Sequence, residues 1–214
     1  MTRILKYLAI TAAVAALAVL GVVGISGADT TEFHCSTSPC RITAKPDGTG
    51  TTAHQVISLW GGGSSFQTTC STVTGEATVN AKAFGEFTVT NIVGSGCSVL
   101  GIAAELKMNG CNYVLTAGGS FSVVCPAGKE IEAGTTKGCL YFIPSQGPFT
   151  GVSYHNIGAG TQEVTVQMQI KGMKAKTNGA CGTGTGFVEA EYIGNTILTG
   201  ETDPGGEKVS LFWE

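Results

Sequence analysis

The cysteines restrict the fold of this chain more than any other feature of its sequence. All eight follow an uncharged N-terminal run, and an even number of cysteines in an oxidising compartment predicts a framework of disulfide bonds. Eight cysteines allow about 105 pairings, so the sequence leaves the connectivity open. The pairing that we favour joins Cys35 to Cys40, Cys70 to Cys97, Cys111 to Cys125, and Cys139 to Cys181.

Metal binding is the alternative use of these side chains. His34, Cys35 and Cys40 offer three soft ligands, but zinc sites usually place about two to four residues between paired cysteines and add a second pair nearby. The sequence shows no such second pair. The run Gly61-Gly62-Gly63-Ser64-Ser65 lacks the lysine of a phosphate-binding loop and predicts a turn. We therefore expect neither a metal nor a cofactor.

The N-terminus has the pattern of an export signal. Arg3 and Lys6 precede residues 7–25, which carry no charge, and the small residues Ser26-Gly27-Ala28 follow. This pattern predicts a signal peptide over residues 1–28, cleaved after Ala28. The alternative is an uncleaved anchor, because 19 helical residues would span roughly 28 Å of a bilayer. With the basic residues held inside, either outcome places residues 29–214 outside the cytoplasm.

Composition excludes two classes of protein. Charged residues are only 13% of the chain, and the formal net charge is −3, so the sequence offers no basic surface for nucleic acid. Few residues favour helices, whereas 32 glycines favour turns. A helical bundle and a nucleic-acid-binding protein are therefore both unexpected.

Alternating side chains predict β-strands. Across residues 163–171, apolar Val164, Val166, Met168 and Ile170 alternate with polar neighbours, which is typical of a strand with one buried face. Tight turns are predicted at Asn-Gly and Gly-Gly pairs, above all at 108–111, which resembles a hairpin. Further strand-like runs are 55–60, 87–90, 98–108, 113–116, 121–124, 140–143, 187–192, 196–198 and 209–213.

These runs predict an all-β fold, an antiparallel sandwich or partly closed barrel of about ten or more short strands. We expect one extracellular β domain over residues 29–214, with a domain break near 147–160 as the alternative. The last strand is apolar on both faces, since Phe212 points away from Leu211 and Trp213. This pattern predicts a central or covered strand.

A search for chemistry finds no assembled site, and catalytic residues remain unknown. The three histidines are His34, His54 and His155. Asp47 and His54 are close in sequence, but no serine is marked out beside them and no Gly-x-Ser-x-Gly motif marks a nucleophile. Glu189 and Glu191 share one face of a strand, where a solvated surface is the simplest interpretation.

Aromatic platforms would indicate a carbohydrate-binding module. Trp60 and Trp213 both lie within apolar strands, however, and core packing is the expected place for such side chains. Aromatic residues make up only 7% of the chain, which weakens the carbohydrate interpretation further.

A resemblance to a known group rests on four segments, residues 33–35, 124–130, 154–158 and 200–206. In cysteine placement and turn motifs, the chain resembles uncharacterised secreted β-proteins of actinobacterial type that are rich in Gly and Thr. The resemblance covers nearly all of residues 29–214. It implies export and disulfide bonds but no activity, because the group carries no assigned one.

The sequence thus favours an exported, disulfide-stabilised β-protein that acts by binding, or as a structural component, at the cell surface or in the medium. Its expected partner is an unidentified cell-envelope or extracellular ligand, with membrane contact only through residues 1–28 if these are retained. One alternative is a secreted hydrolase, in which His155 or His54 meets a carboxylate and a hydroxyl in a cleft. The other is a membrane-anchored envelope protein.

Overall fold

A computed structural model of the chain describes residues 31–47, 55–135, 138–158 and 163–214. The predicted signal or anchor segment 1–28 and His54 lie outside the described residues. Strands and the turns between them make up the described part, and no helix long and apolar enough to cross a membrane occurs within it. The expected all-β fold class is confirmed.

Seventeen strands are found in the described part of the chain. The first nine are β1 (Phe33–Cys35), β2 (Cys40–Pro46), β3 (Gln55–Gly61), β4 (Ser64–Val79), β5 (Ala83–Phe84), β6 (Glu86–Val99), β7 (Ile102–Lys107), β8 (Asn112–Thr116) and β9 (Ser120–Val124). The others are β10 (Ile131–Thr135), β11 (Leu140–Ile143), β12 (Gln146–Thr150), β13 (Val152–Ile157), β14 (Glu163–Gly179), β15 (Gly184–Thr202), β16 (Lys208–Val209) and β17 (Leu211–Trp213).

Four long strands, β4, β6, β14 and β15, belong to two closed rings of antiparallel strands. The first ring runs β4–β6–β7–β10–β11–β14–β15–β3 and returns from β3 to β4. The second ring runs β4–β6–β8–β9–β12, continues through Gly151 into β13, and returns by β14, β15 and β2. Closure pairs the strand edges that an open sheet would leave free.

The four long strands contain 14 to 19 residues each, which is longer than the short strands expected from the sequence. In β14 the predicted alternation ends at Lys171, yet the strand continues to Gly179. The register shifts between Ile170 and Met173, and Gly172 there has a positive φ of 77°. This bulge inserts one residue, so the buried face moves from even to odd positions and Met173 still points inward.

The predicted strand 98–108 is wrong as a single element. Leu100 and Gly101 have positive φ angles of 51° and 77°, and they form a two-residue turn in which Val99 pairs with Ile102. Two positive φ angles match the twist of a hairpin turn. Leucine rarely adopts this conformation, so the sequence alone did not mark the turn.

The predicted turn at Asn109-Gly110 forms, but the hairpin does not. The Cys111 amide donates to the Met108 carbonyl (2.8 Å), and both turn residues have positive φ. The flanking strands β7 and β8 do not pair with each other. Instead, both pair with β6, β8 with residues 86–89 and β7 with residues 98–99, because β6 is long enough to hold both.

A small sheet of β17, β1 and β5 packs on the second ring. Phe33 of β1 is fully buried, with ring centroids 5.2 Å from Phe87 in β6 and 4.8 Å from Tyr154 in β13. The predicted C-terminal strand is divided, since β16 pairs with β15 whereas β17 pairs with β1. β17 is also an edge strand rather than a central one, although Leu211 within it is fully buried.

Disulfides join neighbouring parts of this fold. The bonds are Cys35–Cys40, Cys70–Cys97, Cys111–Cys125 and Cys139–Cys181, which is the pairing favoured by the sequence, and no cysteine is free. Cys70 and Cys97 are direct partners in the β4–β6 register. Cys111 and Cys125 immediately flank the paired ends of β8 and β9.

Candidate functional site

The interior of the rings is filled by side chains. The apolar cavity between β4, β6, β14 and β15 has a volume of only about 40 Å³ and is bordered by residues such as Val89, Met168 and Leu198. Small-molecule sites are usually about 300–1,000 Å³. A ligand of that size must therefore bind outside the rings.

The core next to this cavity contains polar side chains. The Tyr192 hydroxyl donates to Gln55 Oε1, and the Gln55 amide donates to the Asn195 carbonyl (2.7 Å). Burial raises the pKa of Tyr192 well above its ordinary value and that of Tyr113 to about 12. These phenols therefore stay neutral at ordinary pH.

Tyr141 differs from Tyr192 in its surroundings. Burial raises its pKa, and the nearby Thr68 hydroxyl offsets a smaller part of that rise. The geometry between them is not that of a hydrogen bond, however, and neither hydroxyl has a hydrogen-bond partner in the described part of the chain. Both border a second cavity of only about 10 Å³, which is too small for an organic ligand.

A surface groove of about 390 Å³ contains His155 and Trp213, two of the residues considered from the sequence. The Trp213 indole donates to the Ala117 carbonyl (3.0 Å), and this hydrogen bond helps to hold β17 in place. His155 is exposed, and within residues 31–47, 55–135, 138–158 and 163–214 no carboxylate pairs with it. The groove therefore lacks the hydrogen-bonded acid and base of a hydrolase.

His34 is the other described histidine. Its Nε2 lies 3.2 Å from Glu214 Oε1, and its ring stacks on Phe212 at 4.9 Å between centroids. Both contacts join β1 to the end of the chain. His34 thus holds the small sheet together and has no nucleophile beside it among these contacts.

The exposed site lies on the outer face of the first ring, around Trp60. Contrary to the core position expected from the sequence, Trp60 is 41% exposed. Its neighbour Leu59 is fully buried, so alternation in β3 turns the indole outward. Trp60 lies opposite Ser65 of β4 on one side and Glu189 of β15 on the other.

Polar side chains surround the indole. A hollow of about 220 Å³ is bordered by Trp60, Ser58, Ser65, Gln67 and Leu100, the last of which is 80% exposed. The Gln67 amide donates to the Ser58 hydroxyl (3.2 Å). We call this surface the Trp60 face and define it by these five residues.

Ion pairs lie beside the Trp60 face. Lys174 pairs with Glu189, whose side chain is 59% exposed. Lys171 lies 4.0 Å from Glu191, whose side chain is only 18% exposed, so the expected solvated face holds for Glu189 and only in part for Glu191. Phe187, two residues before Glu189, is 62% exposed, and Lys176 Nζ lies 5.3 Å from its ring centroid. The same alternation that turns Glu189 and Glu191 outward also turns Phe187 outward.

Comparison with protein-family models, curated proteins and solved structures finds no match for the chain. In the part of the chain that the structure describes, no cluster of three or more His, Cys, Asp or Glu side chains could hold a metal ion. The fold and its four disulfides define a disulfide-stabilised β-protein of a kind typical of the extracellular space.

Two signals could have located the Trp60 face from the sequence. Ser58 and Trp60 share one strand face, whereas Leu59 lies on the other, so the indole had a polar side as well as an apolar one. Phe187 shares a face with Glu189 and Glu191. Isolated apolar side chains on outer strand faces are common, so neither pattern marks a binding site by itself. The sequence also does not show that Trp60 and Phe187 lie on adjacent strands, because that depends on which strands pair.

Proposed function

We propose that this protein is exported through residues 1–28 and acts outside the cytoplasm as a binding protein, with the Trp60 face as its binding surface. The observation that carries the proposal is the outward position of Trp60 beside the solvent-exposed Leu100, next to a filled interior. Exposed aromatic side chains with polar neighbours are enriched at binding surfaces. Four disulfides support a role in an oxidising compartment.

The hydrolase alternative receives no support from the described residues, because His155 has no acid beside it. The anchored alternative differs only in the fate of residues 1–28. The mass of the mature protein separates the two, since cleavage after Ala28 yields a chain that begins at Asp29.

The test of the binding function uses the full exported protein, labelled and sedimented with cell-envelope material from the producing organism. We expect the wild type to bind and Trp60→Ala to bind at least about tenfold more weakly, because an aromatic anchor carries much of the energy of a binding site. The matched control is Val93→Ala. Val93 is 59% exposed on β6 and lies opposite Thr74, nine residues along β4 from Ser65, or about 30 Å away.

Equal binding by the wild type and Trp60→Ala would contradict the proposed function. Loss of binding in both Trp60→Ala and Val93→Ala would also contradict it, because the effect would then not belong to the Trp60 face. Denaturation midpoints of the two variants, measured in parallel, show whether each protein is folded.

A further inference from the structure

We propose that the Trp60 face binds a neutral polysaccharide, and that Phe187 extends it into a platform of two aromatic rings for successive sugar units. This inference rests on the proposed binding function and names its ligand class. An aromatic face attracts the polarised C–H bonds of a sugar ring, because the π-system carries negative charge above and below its plane.

The two rings are neighbours on one surface. Trp60 lies directly opposite Glu189, and Phe187 precedes Glu189 by two residues on β15. Residues two apart on a strand point to the same side, so Phe187 and Trp60 form a diagonal pair across two adjacent strands. Such pairs lie about 7–8 Å apart, within reach of large side chains.

Nothing on the turn beside them covers the platform. The β3–β4 turn consists of Gly62 and Gly63, whose positive φ angles of 57° and 78° form a two-residue hairpin turn without side chains. Lys176 covers one face of the Phe187 ring, yet Phe187 remains 62% exposed. The other face of this ring is therefore accessible to a ligand.

The polar groups of the site match a neutral ligand. Ser65 and Gln67 are exposed and present a hydroxyl and an amide, which can both donate to and accept from sugar hydroxyls. Ser58 is only 5% exposed and accepts a hydrogen bond from the Gln67 amide. Charges beside the rings are already paired, since Lys174 contacts Glu189 and Lys176 contacts Glu130 at 2.6 Å. An anionic polymer would find no unpaired cation among these side chains.

The same charges argue against a protein partner. The central part of a protein–protein interface is depleted of charged side chains. Here the Lys174–Glu189 pair adjoins both aromatic rings, because Glu189 is the direct partner of Trp60 and shares the outer face of β15 with Phe187. A bound polypeptide would have to remove this ion pair from water, which is costly. A sugar chain can hydrogen-bond to the pair and still leave part of it in contact with water.

The experiment repeats the envelope-binding assay after two separate treatments of the envelope material. Periodate cleaves vicinal diols and destroys glycans, whereas a protease removes proteins. We expect periodate to abolish binding and protease to leave it intact. Phe187→Ala should bind envelope material about tenfold more weakly than the wild type, while Val124→Ala, a 49% exposed residue of β9, should bind normally.

Purified neutral polysaccharides, with a soluble anionic polysaccharide as the comparison, then test the ligand class directly. Weakened binding by Trp60→Ala and Phe187→Ala to a neutral polymer supports the inference, as does tighter binding to longer oligosaccharides than to a single sugar. Binding that depends on Trp60 but is abolished by protease and survives periodate overturns the glycan ligand and leaves the binding function in place. Envelope binding that never depends on Trp60 overturns both.

Discussion

Tyr141 and Tyr192 border the same small cavity in the core, yet their hydroxyls have different surroundings. Tyr192 donates to Gln55, whereas the Tyr141 hydroxyl makes no hydrogen bond to the described residues. A buried hydroxyl without a partner costs free energy, because it has lost its hydrogen bond to water. When a buried hydroxyl that does donate a hydrogen bond is removed, its acceptor is left without a donor.

Replacement of each tyrosine by phenylalanine should therefore have opposite effects. We expect Tyr192→Phe to lower the free energy of unfolding by about 1–3 kcal/mol, because Gln55 Oε1 is left without its donor. Tyr141→Phe should be neutral or stabilising. Urea denaturation of both variants is the measurement, and each variant serves as the control of the other because the atom removed is the same. A destabilised Tyr141→Phe would show that this hydroxyl has a partner, such as a buried water.

At the scale of elements, side-chain amides pair with the backbone where strands lack a partner. Asn156 of β13 donates to the Trp213 carbonyl and accepts from the Trp213 amide, both at 2.8 Å. Gln146 of β12 makes the same pair of bonds to Lys174 of β14. Each amide imitates one residue of a neighbouring strand. Asn156 thereby fastens the edge strand β17 to the second ring.

Asn156→Asp should loosen β17. The carboxylate can still accept from the Trp213 amide, but it cannot donate to the carbonyl and repels it instead. We expect a loss of about 1 kcal/mol in the free energy of unfolding and faster proteolysis at the C-terminus. The matched control is Gln167→Glu, an exposed amide of β14 whose side chain makes no hydrogen bond within the described residues. Equal effects of the two substitutions would show that added charge, rather than the lost donor, is responsible.

Individual strands and turns show which features of the fold the sequence pattern predicts and which it does not. The strand over 163–171 was predictable because polar and apolar side chains alternate there, and its extension to Gly179 was not, because the bulge at Gly172 changes the parity of the pattern. At Leu100 a turn replaces the predicted continuous strand, since pairing of Val99 with Ile102 stabilises a conformation that leucine disfavours. The sequence likewise predicted the turn at Asn109-Gly110 but not which strands pair beside it.

At the scale of the whole molecule, the tyrosines link stability to pH. The chain has five tyrosines, and the four beyond the N-terminal segment are Tyr113, Tyr141, Tyr154 and Tyr192. Burial raises the pKa of each of these four, that of Tyr113 to about 12. An unfolded tyrosine loses its proton near pH 10. The folded protein binds more protons than the unfolded one above this pH, so stability is complete below about pH 10 and falls as the pH rises further.

We therefore expect alkaline unfolding to be cooperative, with tyrosinate absorbance appearing together with the loss of β-sheet circular dichroism. The control is the protein in concentrated denaturant, whose four accessible tyrosines should titrate near pH 10. Appearance of tyrosinate near pH 10 while the circular dichroism remains native would contradict the buried positions of these rings.

The sequence by itself determined the all-β class of the protein, because alternation and turn residues act over a few neighbours along the chain. The N-terminal export pattern remains a prediction, since residues 1–28 lie outside the described part. Only the tertiary structure decided the closure of two rings, the edge position of β17 and the outward position of Trp60. Closure depends on pairings such as β15 with β3, between residues more than 100 positions apart. Trp60 and Phe187 lie on one surface for the same reason, because the register between strands from distant segments places their side chains there.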